Sequence, residues 1–294
     1  ISSGIRKVEP ADPSRISVSW LKYSLMSLSV QETIHRHTIG LTILHSSSAV
    51  PHIRIPVPSL AQQEQIIRIL DEADALRKLH EQSERRMKDF IPALFYEMFG
   101  DPTANTKGWT SIDLGEVCSE VYRYPTFYGF EYTDVGVPVA RIGNILPNGF
   151  LDPDLSHYAF IDSATSQKFP RTILEHHDIL MAVRGDGSTG KRIGLVESDN
   201  LVGANISPNL IRFKANPDII EPIYLFFLMI SIGGQLLVDQ RITRTAKKTI
   251  TARDIKDIEI PVPPLSLQRR FVVLVTEARY LEEVQARTRS RLDD

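Results

Sequence analysis

The sequence has almost no cysteine. Cys118 is the single one in 294 residues, which excludes an intrachain disulfide framework and a multi-cysteine zinc site. Neither sign of charge is in excess: 34 Lys and Arg stand against 36 Asp and Glu, a formal net charge of −2. A protein that coats nucleic acid through net charge is thereby excluded. Long apolar runs are lacking too. The best, Ile219 to Ile232, is broken by Glu221 and Pro222 and falls short of the ~18 residues that mark a membrane-spanning helix. No signal-peptide pattern opens the chain, so a cytoplasmic protein without a membrane partner is expected. What is present is ordinary for a globular protein. Apolar residues make up 42% and charged residues 24%, enough for a sizeable core and one to three domains. The first residue is Ile1, not methionine, which reads as a cut or processed chain.

An internal repeat organises the sequence. Ile53-Arg54-Ile55-Pro56-Val57-Pro58-Ser59-Leu60 recurs as Ile258-Glu259-Ile260-Pro261-Val262-Pro263-Pro264-Leu265, an offset of 205 residues. At that offset Gln63 matches Gln268, Ala73 matches Ala278, Leu76 matches Leu281, and Ile1-Ser2 falls on Ile206-Ser207. Such a period is too long for a solenoid. It predicts two large half-units, each a globular part followed by a helix.

The helices begin where the prolines stop. A 3-4 spacing runs Ile66, Ile69, Ala73, Leu76, His80, Ser83, Met87, Phe90, Leu94, and again Phe271, Leu274, Ala278, Leu281, Gln285, Thr288, Leu292. Sustained seams of this kind predict coiled-coil packing, with Ile66, Ile69, Ala73, Leu76, Phe271, Leu274, Ala278 and Leu281 as its apolar positions. The polar pairs His80/Ser83 and Gln285/Thr288 read either as a register device or as the solvated edge of the contact. The first helix is expected from about Ala61 to Met98, with Pro92 as a kink point and Gly100 and Pro102 as its stop.

Between the helices, residues 100–264 carry short β-rich runs at Val137 to Ile142, Ile179 to Val183, Ile193 to Val196 and Asn209 to Phe213, then an apolar helix from Pro222 to Leu237. Residues 1–59 match only the last third of that pattern: strand to Val8, helix from Ser19 to Val30, then loop.

The doubled helix start, Ile55-Pro56-Val57-Pro58-Ser59-Leu60-Ala61-Gln62-Gln63 and residues 260–268, resembles the specificity subunit of type I restriction–modification systems. So do Phe99-Gly100-Asp101-Pro102 with Lys107-Gly108-Trp109, the run Val137 to Ile145, and Asp178-Ile179-Leu180 … Gly190. The resemblance implies an α+β chain: a globular mixed α/β target-recognition domain plus two long helices forming an antiparallel coiled coil, with a partial first recognition domain. Its domains would be a remnant of the first recognition domain at 1–59, the first long helix at 60–99, the second recognition domain at 100–264 and the second helix at 265–294. The implied partners are double-stranded DNA, read as one half of a bipartite site, and modification and restriction subunits. Methyl donor, ATP and magnesium would sit on those subunits, leaving this chain without a cofactor or a catalytic role. The second unit carries residues 101–205 before the position matching Ile1, so the first domain is expected to lack about two thirds of itself. Two copies could pair to replace it.

Charge is uneven along the recognition domain. Residues 100–183 hold five basic and eleven acidic side chains; residues 184–264 hold eleven and nine. Arg241, Arg244, Lys247, Lys248 and Arg253 are interleaved with Thr243, Thr245, Thr249 and Thr251, the side-chain types that contact phosphates. A second candidate is Arg184, Asp186, Ser188, Thr189, Lys191 and Arg192 among glycines, where backbone approaches a ligand closely and arginine can read guanine. Arg123 and Tyr124, with Tyr122 and Tyr128, form a third set. Solvated loops and core packing are the plain alternatives for all three. In the first unit the matching loop, His35-Arg36-His37-Thr38 … His45, is poor in fixed charge and is expected to add little to DNA binding.

Enzyme motifs fail on chemistry. Gly185 to Lys191 has P-loop spacing, but Arg192 and a strand follow where a hydroxyl and a helix are required. Asp218, Asp254 and Lys256 only loosely fit a metal nuclease, and no metal site is expected. A base-methylation motif and a serine-hydrolase elbow are absent. The competing non-enzymatic reading is a coiled-coil adaptor or protein-binding module with no DNA specificity of its own.

Overall fold

The structure, a computed structural model, describes residues 7–38, 46–123, 131–183, 193–241 and 251–293. Two compact units divide the chain, residues 1–85 and 86–294.

In the first unit α1 (Val18–Met26) and α2 (Leu28–His37) precede a 3₁₀ turn, Ser46–His52, and then α3 (Leu60–Phe99), which continues into the second unit. The helix expected from Ser19 to Val30 is thus broken at Ser27, whose hydroxyl donates to the Ser24 carbonyl at 2.7 Å and ends α1. Lys7 and Val8 are not in a strand, and residues 1–6 of that expected strand lie outside the described residues. Helix α3 runs past Pro92 and ends on Gly100, whose φ of +79° a side chain would resist and whose N–H reaches the Tyr96 carbonyl at 2.9 Å.

The second unit follows in order with β1 (Thr110–Asp113), α4 (Leu114–Val117), β2 (Cys118–Arg123), β3 (Val137–Ala140), β4 (Ala159–Ile161), α5 (Ser163–Gln167), β5 (Ile179–Ala182), β6 (Ile193–Leu195), β7 (Asn205–Ile206) and β8 (Leu210–Ala215). It closes with α6 (Pro222–Ile230), α7 (Ile232–Arg241), α8 (Ala252–Lys256), β9 (Glu259–Val262) and α9 (Leu265–Asp293). The central sheet is antiparallel, in the order β2-β8-β5-β6. A second sheet has the order β4-β3-β7, and β1 pairs with β9. Pro261 is tolerated in β9 because a two-stranded ribbon leaves one edge unpaired. Strand β5 is buried along its length, and its alternation serves two cores. Ile179 and Met181 face the core shared with α6 and α9, while Leu180 and Ala182 face the one beneath β3 and β7. Cys118 is buried, and burial pushes its thiol up to about 12, so it is a packing group and not a nucleophile.

The apolar run expected as one helix from Pro222 to Leu237 is two helices bent by 76°. Ser231 caps the first through the Leu228 carbonyl. At Gly234 a Cβ would collide with that same carbonyl, so the sharp turn requires glycine there. No single helix among the described residues is long and apolar enough to cross a membrane.

The sequence repeat recurs as a repeat of hydrogen bonds. Trp20 Nε1 donates to the Pro56 carbonyl at 2.9 Å, and Tyr224 Oη donates to the Pro261 carbonyl at 2.8 Å. Gln31 Nε2 donates to the Leu25 carbonyl, and Gln235 Nε2 to that of Met229. Gln63 Oε1 accepts the Ser17 N–H while its Nε2 donates to the carbonyls of Arg15 and Pro58. Gln268 Oε1 accepts the Glu221 N–H while its Nε2 donates to those of Ile219 and Pro263. The offset is 204 through the helix pairs and 205 from the Pro-Val-Pro run onward, so the two copies differ by one residue in between. Both glutamines are fully buried. Gln268→Ala is expected to destabilise the second unit by about 1–3 kcal/mol by leaving the Glu221 N–H and two carbonyls unmet; chemical denaturation measures it.

The expected seam residues fare unequally. Ile66, Ile69, Ala73 and Leu76 are exposed, Leu76 by 66%. Phe271 and Ala278 are buried, Leu274 is half-buried and Leu281 is exposed. Phe271 packs edge-on to Phe95, Phe99 and Phe227, so it belongs to the core of the second unit. The buried face of α3 there is Ile91, Phe95 and Phe99, spaced by four, and not the register through Phe90, which is 44% exposed.

Candidate nucleic-acid interface

Several chain segments leave the sheets of the second unit at one edge. Strand β2 ends at Arg123, opposite Ile211. Strand β5 ends at Ala182, opposite Leu210, and Val183 then donates its N–H to the Asn209 carbonyl at 2.9 Å. Strand β6 opens at Ile193. Strand β3 ends at Ala140 beside Ile206 of β7, and the Ser207 N–H closes on the Ala140 carbonyl at 2.8 Å. The chain leaving Arg123, Ala140, Val183 and Ile206, and the chain entering Ile193, therefore share this edge.

A cleft of about 550 Å³ opens beside it, lined among others by Tyr132, Arg141, Asn144, His157, Ser207 and Asn209. Buried Asn144 fixes its floor. Asn144 Oδ1 accepts the Arg141 N–H at 2.9 Å and its Nδ2 donates to the His157 carbonyl at 2.9 Å. The exposed Arg141 guanidinium reaches the same carbonyl at 3.3 Å. His157 Nδ1 lies 2.6 Å from Asp152 Oδ2. That bond holds the imidazole above the ordinary histidine range. The Asp154 N–H, and then His157, hold Asp152 below the usual carboxylate range. A histidine raised by a partner contributes its pairing below the unfolded value and loses it as pH rises through the folded one. The His157 ring protons are expected to titrate above the ordinary histidine value of about 6.5, and Asp152→Asn is expected to lower them toward it, with Asp154 keeping a smaller part of the rise; NMR titration reads both.

Behind this edge lies a buried ionic network. Arg212 on β8 is 3% exposed. Its Nη1 donates to the Arg171 carbonyl at 3.1 Å and to the Ile173 carbonyl, its Nη2 to Glu120 Oε2 at 3.1 Å, and its Nε lies 3.3 Å from Asp178 Oδ2. Burial pushes the Asp178 carboxyl up to about 6, with Arg212 opposing. Arg171 stacks over Tyr122, 4.1 Å from the ring centre, and donates to Glu120 Oε1 at 2.6 Å. These bonds lock β2, β5, β8 and the 171–178 segment together.

Few of the sequence candidates fall on described residues. Arg123 does, half-buried at the sheet edge, its Nε buried with no partner among the described residues. Arg241 is the exposed last residue of α7, on a cavity of about 290 Å³ with Asn105 and Pro261. Tyr124, Arg184, Asp186, Ser188, Thr189, Lys191, Arg192, Arg244, Thr245, Lys247 and Lys248 lie outside the described residues. Their anchors separate them into two groups. The chain resumes after 250 at Thr251, which caps α8, and α8 packs on α4 at the start of β2. Arg123, Val183 and Ile193 mark the other end of that sheet, about 17 Å of strand away. Arg141, Ser207 and Asn209 escaped the sequence reading. The run Val137 to Ile142 reads as one strand, yet it ends at Ala140. The available signal was an arginine and an asparagine three residues apart directly after a strand. Among the described residues no three His, Cys, Asp or Glu side chains cluster to hold a metal.

The second unit is thus a mixed α/β domain with a polar cleft where several of its strands end. The chain belongs to the type I restriction modification DNA specificity domain family, whose profile matches residues 106–276. It is 24% identical to the type I restriction enzyme MjaVIII specificity subunit of Methanocaldococcus jannaschii over 92% of this chain and 66% of that one. It is 24% identical to the EcoBI specificity subunit of Escherichia coli over 88% and 59%. The chain thus spans less than two thirds of the length of these relatives. Its fold is that of a structure solved in a study of complex assembly and conformational transition of the type I R-M system (TM-score 0.60, 18% identity, 96% of this chain and 70% of that one). It is also that of the HsdS subunit from Thermoanaerobacter tengcongensis (TM-score 0.53, 18% identity, 93% and 65%).

Proposed function

We propose that this chain is a non-catalytic, sequence-specific DNA-recognition subunit of a type I restriction–modification complex. Residues 100–264 read one half of a bipartite site. The helices at 60–99 and 265–294 pair antiparallel as the spacer and dock modification and restriction subunits, which supply methyl donor, ATP and magnesium. Residues 1–59 are the end of a first recognition domain. The observation that carries this reading is the recurrence of the same hydrogen bonds, Gln63 for Gln268 and Trp20 for Tyr224, at the head of each long helix. Two alike units on rigid helices make a pseudo-twofold reader, whose half-site spacing follows from protein geometry. The exposed Ile66, Ile69 and Leu76 provide α3 with an apolar stripe for helical partners.

Binding to a mixed-sequence duplex, with and without the modification subunit, tests the reading. It predicts binding that weakens steeply with salt, because neutralised phosphates release counterions. Absence of binding at every salt concentration, in both cases, would leave the adaptor reading in its place.

A further inference from the structure

We propose that the cleft between Arg141 and Asn209 holds one backbone phosphate of bound DNA, with the Arg141 guanidinium, the Ser207 hydroxyl and the Asn209 amide as its donors. The proposal rests on the DNA-recognition reading and assigns it a site among the described residues.

Three observations carry it. The cleft lies at the sheet edge where β2, β3 and β5 end, and Asn209 is bonded to Val183 there. Its donors come from two separate turns, one after β3 and one after β7, joined by the Ser207–Ala140 backbone bond, so the two turns are fixed to each other before any ligand arrives. Ser207 is the third. It is 4% exposed yet lines the cleft, so the little of it that solvent reaches faces a ligand there.

Arginine, serine and asparagine can all donate to phosphate oxygens, and they can also meet a base edge, so the comparison of two duplexes decides between the two contacts. The acidic wall does not oppose this. Asp152 also lines the cleft, but its carboxylate is taken up by His157 Nδ1 and by the Asp154 N–H. Asn144 fixes the Arg141 backbone, and the His157 carbonyl at 3.3 Å orients the exposed guanidinium.

The test uses the full chain assembled with its modification subunit, titrated against the methylated target duplex and a scrambled duplex over a salt series. Arg141→Ala is expected to weaken both by about five- to tenfold at moderate salt and to lower the salt slope by about one, whereas Arg141→Lys keeps the slope. Asn209→Asp, at an exposed position, is expected to weaken both duplexes equally, and it decides the matter if Arg141→Ala does not fold. Loss confined to the target duplex would make the cleft a base reader and overturn the proposal. So would unchanged affinity and slope in folded variants. Failure of the wild-type complex to bind any duplex would instead defeat the DNA reading, and this assignment with it.

Discussion

Arg212→Ala is expected to destabilise the recognition domain by about 3–5 kcal/mol, because breaking a buried pair leaves the other charge uncompensated. The Arg212 side chain is 4% exposed and that of Asp178 is 2% exposed, so water cannot replace the guanidinium. With Arg212 gone, Asp178 keeps the Glu175 N–H at 2.7 Å and little else. Its carboxyl, already at about 6, is then expected to rise further. A carboxyl raised in the folded state favours folding at low pH and loses that advantage as pH rises through the folded value, so the deficit should shrink as pH falls through the variant's raised value toward about 6 and change little below it. Urea denaturation at two pH values reads both effects. Asp178→Asn in the Arg212→Ala background is expected to recover part of the loss, since it removes the stranded charge. A deficit under about 1 kcal/mol would mean that solvent reaches the network. The consequence for function is local: Arg212 ties β8 to β2 and to the 171–178 segment just below the edge that carries Arg123, Arg141 and Asn209.

Phe271→Ala is expected to cost about 3–5 kcal/mol, the range for emptying a large aromatic site. Phe271 is fully buried against Phe95, Phe99 and Phe227. Leu76→Asp provides the contrast. Leu76 is 66% exposed, so its replacement is expected to change folding stability by no more than about 0.5 kcal/mol while abolishing assembly with the modification subunit. Denaturation melts and co-purification separate the two effects. If Leu76→Asp unfolds the chain instead, the stripe on α3 is core and not a docking surface.

These variants show what the sequence could and could not convey. Periodicity correctly marked 66–94 and 271–292 as helices with an apolar face, because a 3-4 spacing is a property of the helix itself. It could not tell a seam from a core. Phe271 occupies a seam position on α9 yet serves the domain beneath it, while on α3 the buried register is Ile91, Phe95 and Phe99 and not the one through Phe90. Proline-rich repetition at 53–60 and 258–265 was legible because both copies need the same bonds: Pro56 and Pro261 accept, and Gln63 and Gln268 latch. The break of α6 from α7 was missed because composition alone makes 222–237 one apolar run, whereas the turn depends on Gly234 passing close to a carbonyl. The strands β3, β5, β6 and β8 were visible as short apolar runs. The cleft was not, since Arg141, Ser207 and Asn209 are distant in sequence and meet only through the parallel pairing of β3 with β7.

The central claim, that residues 100–264 read one half of a bipartite DNA site, is tested most directly by mapping methylated adenines in cells carrying the complete system. The comparison is between the natural chain and one in which 100–264 is exchanged for the matching segment of a relative. One half of the methylated sequence is expected to change, while the other half and the spacing between them stay fixed. An unchanged sequence, or a change in both halves, would contradict the claim.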